Sequence, residues 1–191
     1  MNWLPVVPVT VLVTILGSTD ALWAQAATPA CGWQGSQQWL STRPSPLDSA
    51  QLALPGGVAK ICYSRPSARG RAIYGELAPF GRAWRVGANE PTLLHLTVSA
   101  QIGGTEFPPG QYVLLAVPGP DRWMVVLHTA ESTDPSRMFQ TLTVVGNARA
   151  QVDSIHPPVE QFTIRIQETP NRAFLLEWGS LQARLEVRAS P

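Results

Sequence analysis

From Val58 to the C-terminus, apolar residues recur with a period of two, in short runs broken by Gly, Pro and Asn. Successive side chains of an extended chain point to opposite faces, so each run reads as a strand with one face to bury. Lys60 to Ser64 alternates, Leu94, Leu96 and Val98 share one face of a strand over about 92–100, and Tyr112 to Val117 is a further apolar run. Trp123 to His128 follows the tight connection Pro118-Gly119-Pro120-Asp121, and Val144-Val145, Ala150 to Ile155, Phe162 to Ile166, Ala173 to Trp178 and Leu181 to Val187 complete the set. Turn residues at Gly103-Gly104, Pro108-Pro109-Gly110, Pro170-Asn171 and Gly179-Ser180 separate them at intervals that suit hairpins. No helical pattern exceeds about two turns. The expectation is an all-β chain, an antiparallel β-sandwich domain over residues 51–188.

The segment ahead of the strands has another character. Residues 27–50 are rich in Ala, Gln, Ser and Pro, include Arg43-Pro44-Ser45-Pro46, and read as a leader with little regular structure. Before it, Trp3 to Leu16 is uncharged and mostly apolar and leads to Ala24-Gln25-Ala26, a small-x-small cleavage pattern. Residues 1–26 therefore read as a secretory signal peptide cut after Ala26, although no Lys or Arg precedes the apolar run. That run is broken by Pro5 and Pro8 and falls short of the roughly 18 apolar residues of a membrane span. The expected location is periplasmic or extracellular. In an oxidising compartment Cys31 and Cys62 read as a disulfide, and closing that loop would contribute about 3–4 kcal/mol. Two free thiols are the alternative. Lipid anchoring at Cys31 is another, for which Thr28-Pro29-Ala30 lacks the usual Leu.

Charge excludes some partners. The chain has 14 Lys+Arg against 13 Asp+Glu, and loss of Asp20 with the signal leaves 14 − 12 = +2, too little to suggest nucleic acid. Seven Trp and a charged fraction of 14% argue for a buried core rather than disorder. Lys60 is the only lysine, so the other cations are arginines, whose planar fork suits carboxylates, phosphates and sugars. Genome composition gives the same bias.

One segment departs from the strand rhythm. Residues 64–91 form a long Gly/Arg-rich excursion with glycines at 70, 75, 81 and 87 and the cations Arg65, Arg69, Arg71, Arg82 and Arg85. Tyr74, Phe80, Trp84, Asn89 and Glu90 add aromatic faces, an amide and a carboxylate. A connection of this length inside a domain is usually functional or holds a short element of its own. Trp84 and Tyr74 read as core plugs, and Tyr112 after Pro-Pro-Gly as a turn-anchoring tyrosine. Arg85 and Glu90 read either as a mutually satisfied ion pair or as ligand-binding groups.

The stretches Tyr63-Ser64-Arg65-Pro66-Ser67, Gly70-Arg71-x-Ile73-Tyr74-Gly75-x-Leu77-x-Pro79-Phe80-Gly81, Trp84-Arg85-x-Gly87-Ala88-Asn89-Glu90 and Phe107-Pro108-x-Gly110-x-Tyr112 resemble the successive motifs of the bacterial family called domain of unknown function 2911. The resemblance covers roughly residues 50–187 and implies an exported all-β domain. It brings no reaction with it.

Catalytic templates fit poorly. His95, His128 and His156 are too dispersed for a local metal site, so no metal is expected, nor any other cofactor. No Gly-x-Ser-x-Gly elbow is present. Three functions remain. The first is a module that binds a small anionic or polyhydroxyl ligand through Arg65, Arg71, Arg85, Asn89 and Glu90. The second is a structural or interaction domain of the cell envelope. The third is a hydrolase or isomerase with Glu90 as acid/base and Arg85 stabilising developing negative charge. Exported protein is expected to begin at Ala27 and to contain no free thiol. Intact-mass measurement with and without alkylation checks both points, and two alkylated cysteines in native material would exclude the bridge.

Overall fold

The computed structural model describes residues 28–32, 37–130 and 134–190. The cleavage site expected after Ala26 lies outside them. Alternation sorts each strand as the sequence suggests. Ala50, Leu52 and Leu54 of β1 (Leu47–Leu54) and Ala59, Ile61 and Tyr63 of β2 (Gly57–Ser64) face one core. The same core receives inward residues of β3 (Leu93–Leu96), β4 (Ala100–Ile102), β5 (Thr105–Phe107), β6 (Gly110–Val117) and β7 (Arg122–Ala130). Two long strands, β8 (Leu142–Gln167) and β9 (Ala173–Ala189), finish the chain. Two short helices complete the chain, α1 (Gln37–Thr42) ahead of β1 and α2 (Pro135–Met138) between β7 and β8.

All pairings are antiparallel, and they link nine strands into one sheet in the order β1-β2-β3-β6-β7-β8-β9-β4-β5. The all-β antiparallel expectation holds, with one continuous hydrogen-bonded sheet. That sheet curls, because β2 meets β8 across the core: the Ile164 amide donates to the Tyr63 hydroxyl at 2.8 Å and the Arg65 guanidinium reaches the Phe162 carbonyl at 3.3 Å.

Several local readings change, beginning with the strand read over about 92–100, which ends at Leu96 before β4 starts at Ala100. β1 already begins at Leu47, inside the segment read as leader, and pairs along its full length with β2. The runs read separately at 144–145, 150–155 and 162–166 are parts of β8, whose bends are register shifts between Ser154 and Val159 and between Val159 and Thr163. Gly179, read as a turn, is a bend within β9 at φ +58°, where a Cβ would stand 2.9 Å from Ile73 Cδ1.

At its far end the sheet forks. β8 and β9 are paired at Gln151 and Arg184, and beyond that point the β4–β5 hairpin wedges between them. The Gly103 amide donates to the Glu186 carbonyl of β9 at 2.8 Å, and the Gly103 carbonyl accepts from the Arg149 amide of β8 at 3.3 Å. Thr105 Oγ1 donates to the Asn147 carbonyl at 2.7 Å. The opposite end carries the bridge. Cys31 and Cys62 are joined with their Cα atoms 5.7 Å apart, and Lys60 Nζ donates to the Pro29 carbonyl at 2.8 Å, so the leader lies along the outer face of β2. A small apolar cluster of Cys62, Leu93, Val113 and Met138 sits on that face.

Gly103 has φ +54°, and a Cβ there would come within 2.5 Å of both Arg149 N and Arg149 O. Gly104, at φ +90°, has open space around it. Gly103→Ala is therefore expected to cost more than about 2 kcal/mol and Gly104→Ala about 1 kcal/mol. Urea unfolding of the two variants checks this, and equal losses would show that the wedge is not tightly fitted.

Candidate functional site

The excursion is held by aromatic packing. Trp84 exchanges backbone hydrogen bonds with Ala116 of β6, at 2.7 and 2.8 Å, and its ring is driven into the core. There it meets Phe162 at 5.0 Å, Trp178 at 5.5 Å and Trp123 at 5.9 Å between centroids. Ile73 to Leu77 makes a single wide helical turn in which the Ala78 amide reaches back to the Ile73 carbonyl at 2.7 Å. That turn brings Tyr74 onto Phe80, stacked at 5.3 Å, and lets its hydroxyl donate to the Trp178 carbonyl at 2.7 Å. Burial pushes the Tyr74 phenol well above its ordinary value. Burial pushes Tyr63 up to about 12, against the opposing effect of its bond with Ile164. Both plugs and the Tyr112 anchor are as expected, the last with its hydroxyl 2.7 Å from the Pro108 carbonyl.

Of the five polar residues singled out in the sequence, all but Asn89 have side-chain partners within the protein. Arg65 donates through Nε to Phe162 O and through Nη2 to Thr163 Oγ1 at 2.9 Å, and its Nη1 lies 3.5 Å from Asp48. Arg71 curls onto its own loop, donating to the carbonyls of Ala68 at 3.0 Å and Ser67 at 3.1 Å. Arg85 is exposed, donates to the Asn89 carbonyl at 3.0 Å and lies 5.0 Å over the Phe139 ring. Asn89 is exposed and takes a left-handed backbone, φ +59°.

Glu90 does not pair with Arg85. Its partner is Arg43 of the leader, which approaches bidentately at 2.5 and 2.7 Å. The Arg43 side chain is only 4% exposed, and it makes further bonds: Nε reaches the Ser45 carbonyl at 2.8 Å and Nη2 the Ser64 hydroxyl at 2.7 Å. Ser64 in turn donates to Glu90 at 3.2 Å. A buried guanidinium needs several such partners, and the exposed Arg85 position does not gather them. Burial raises the Glu90 carboxyl, but the Arg43 bonds and charge and the Ser64 hydroxyl outweigh it and hold the group below its usual range. A carboxylate so held is a poor proton donor.

Two adjoining cavities lie elsewhere, on either side of the Gly103-Gly104 turn, with volumes of about 260 and 600 Å³. None of the five residues lines either one. Arg149 lines both, and Arg184, Glu186 and Arg188 line the smaller. The sequence signal for this group is the spacing of two along strand faces, Arg184-x-Glu186-x-Arg188 and Arg149-x-Gln151. Among the described residues no group of His, Cys, Asp and Glu is placed to hold a metal ion, and no helix is long and apolar enough to cross a membrane.

Residues 45–187 match the model of a family described as protein of unknown function, DUF2911. The chain belongs to that family. No curated protein and no solved structure matches it. The DUF2911 match takes in the strands from β1 to most of β9 together with the excursion. It begins at Ser45, whose carbonyl receives the Arg43 Nε donor.

Because folding lowers the Glu90 pKa, its contribution is complete above the ordinary value of 4.5 and is lost as pH falls through the lower folded value. Glu90→Gln is expected to flatten that part of the acid dependence in thermal melts between about pH 3 and 7. Arg43→Met leaves the Glu90 charge without its partner and is expected to cost about 3–5 kcal/mol, much of it recovered in the Arg43→Met/Glu90→Gln double variant. Simple additivity of the two losses would contradict the pairing.

Proposed function

We propose that this DUF2911 chain is an exported, non-catalytic domain with a structural or interaction role in the cell envelope, and that its excursion serves the fold. The observation that carries this reading is the use of Arg65, Arg71 and Glu90 within the protein. Arg65 is spent on β8 and Asp48, Arg71 on the Ser67 and Ala68 carbonyls, and Glu90 on Arg43 and Ser64. A binding site built from these residues would need their donors to converge on one space. The hydrolase reading is less well supported, since Glu90 is held as a carboxylate away from Arg85. The disulfide and the apolar N-terminus agree with export.

The comparison of arginine variants tests the proposal. Arg65→Met is expected to lose about 1–2 kcal/mol, because three contacts go with it. Arg71→Met and Arg85→Met should stay within about 0.5 kcal/mol of the parent, as exposed substitutions do. Any thermal stabilisation that phosphate, succinate or glucuronate gives the parent should persist in the Arg71→Met/Arg85→Met variant. A stabilisation abolished by that pair of substitutions would make the excursion a binding site and overturn the proposal.

A further inference from the structure

Four arginines meet on the outer face where β8 and β9 part. Cross-strand register puts Arg122 of β7 opposite Gln151 of β8, and Gln151 opposite Arg184 of β9. Arg149 is two positions from Gln151, and Arg188 is four from Arg184, so all four guanidinium-bearing residues leave the sheet on the same side. The inward residues of these segments, Ala148, Ala150, Ala183, Leu185 and Val187, are in the core.

The smaller cavity is walled by Arg149, Arg184 and Arg188 against the single carboxylate Glu186, a lining charge of 3 − 1 = +2. Glu186 is shared between Arg184 at 2.5 Å and Arg188 at 3.0 Å, which fixes two guanidiniums while neutralising one charge. Arg149 and Arg122 have no ion pair among the described residues. Glu106, opposite Gln101, and Asp153, two positions from Gln151, share this face by register, but neither lines the cavities. Register puts no two of these arginines directly opposite, since Gln151 stands between Arg122 and Arg184, but the pairing at Glu186 does not account for Arg149 at the same cleft. An oxyanion does, since each guanidinium can present two parallel donors to a carboxylate or phosphate.

We propose that this cleft binds a small molecule carrying a carboxylate or phosphate, with Arg149, Arg184 and Arg188 gripping the oxyanion beside the Gly103-Gly104 turn. The volume of about 260 Å³ suits the anionic group and a few further atoms. The adjoining space, bordered by Arg122 and the partly exposed Met124, takes whatever the anion is attached to. The rigid hairpin wedge holds the turn in place between β8 and β9, so the cleft is formed before ligand arrives. The site is independent of the reading given to the excursion.

Calorimetric titration of the disulfide-intact protein with inorganic phosphate, succinate and glucuronate tests the proposal. At low salt, at least one should bind saturably with a Kd below about 1 mM, and binding should weaken as salt is raised. Phosphate alone binding would assign the phosphate class, and the two carboxylates alone the carboxylate class. Arg149→Met should weaken binding roughly tenfold or more, as expected for loss of one charge-assisted hydrogen bond, with an unchanged melting temperature. Arg188→Met is the second arm should Arg149→Met fail to fold. Arg71→Met/Arg85→Met should bind like the parent, which separates failure here from failure of the excursion reading. No saturable binding, or equal binding in the Arg149→Met and Arg188→Met variants, would overturn the proposal.

Discussion

The insertion of Trp84 between Trp123, Phe162 and Trp178 is the contact on which the excursion depends. Residues 64–91 contain one short helical turn and little other repeating structure, so they cannot supply their own core. A tryptophan driven into the sheet's interior provides one. Its three ring contacts lie in the range of favourable edge-to-face and offset geometries, each worth about 0.5–1.5 kcal/mol beyond simple burial. Because the Trp84 backbone is also bridged to Ala116, ring and chain are fixed together. Tyr74 then bonds to the carbonyl of Trp178, itself a partner of Trp84, so the wide turn at 73–77 is positioned by the same aromatic group.

Polar groups close what the aromatic group anchors. Arg43 and Glu90 lie 47 positions apart and join the leader to the end of the excursion, while Arg65 joins its start to β8. Such a buried pair is a weak source of net stability, because desolvation offsets much of the attraction. Its stronger effect is selective: any arrangement that separates the leader from the excursion leaves a charge buried and unpaired. The disulfide acts on the same leader from the other side, at Cys62 on the outer face of β2. The leader is thus held covalently at Cys31 and ionically at Arg43 and Asp48.

Much of the sheet was legible because period-two alternation is a local property. The inward faces of β2, β3, β6 and β7, the Gly103-Gly104 turn and the Tyr112 anchor follow from neighbours within a few positions. What escaped depends on distance. β1 was hidden behind Arg43-Pro44-Ser45-Pro46, since its first residues, Leu47-Asp48-Ser49, do not alternate cleanly and only pairing with β2 makes them a strand. The continuity of β8 through Gly146 was equally hidden: a Cβ there would lie 3.0 Å from the Phe107 ring, a contact made by a strand far away in sequence. The choice of Arg43 over Arg85 as the partner of Glu90 needed three-dimensional information about burial, which sequence proximity misrepresents. Arg85 was the nearer cation, and it is exposed.

The arginines therefore divide by position in the sheet rather than by motif. Those near the excursion's polar seams, Arg43 and Arg65, are consumed by carboxylates and carbonyls that the fold itself buries or half-buries. Those on the outer face at the fork stand among too few carboxylates to be neutralised in the same way. The wedge explains why a cleft exists there at all. Two paired strands leave no gap between their backbones, whereas inserting a hairpin turn between β8 and β9 spreads their outer side chains apart around Gly103 and Gly104. The glycine that lets the fold close at the backbone level is thus the residue that opens a space at the side-chain level, with arginines as its walls.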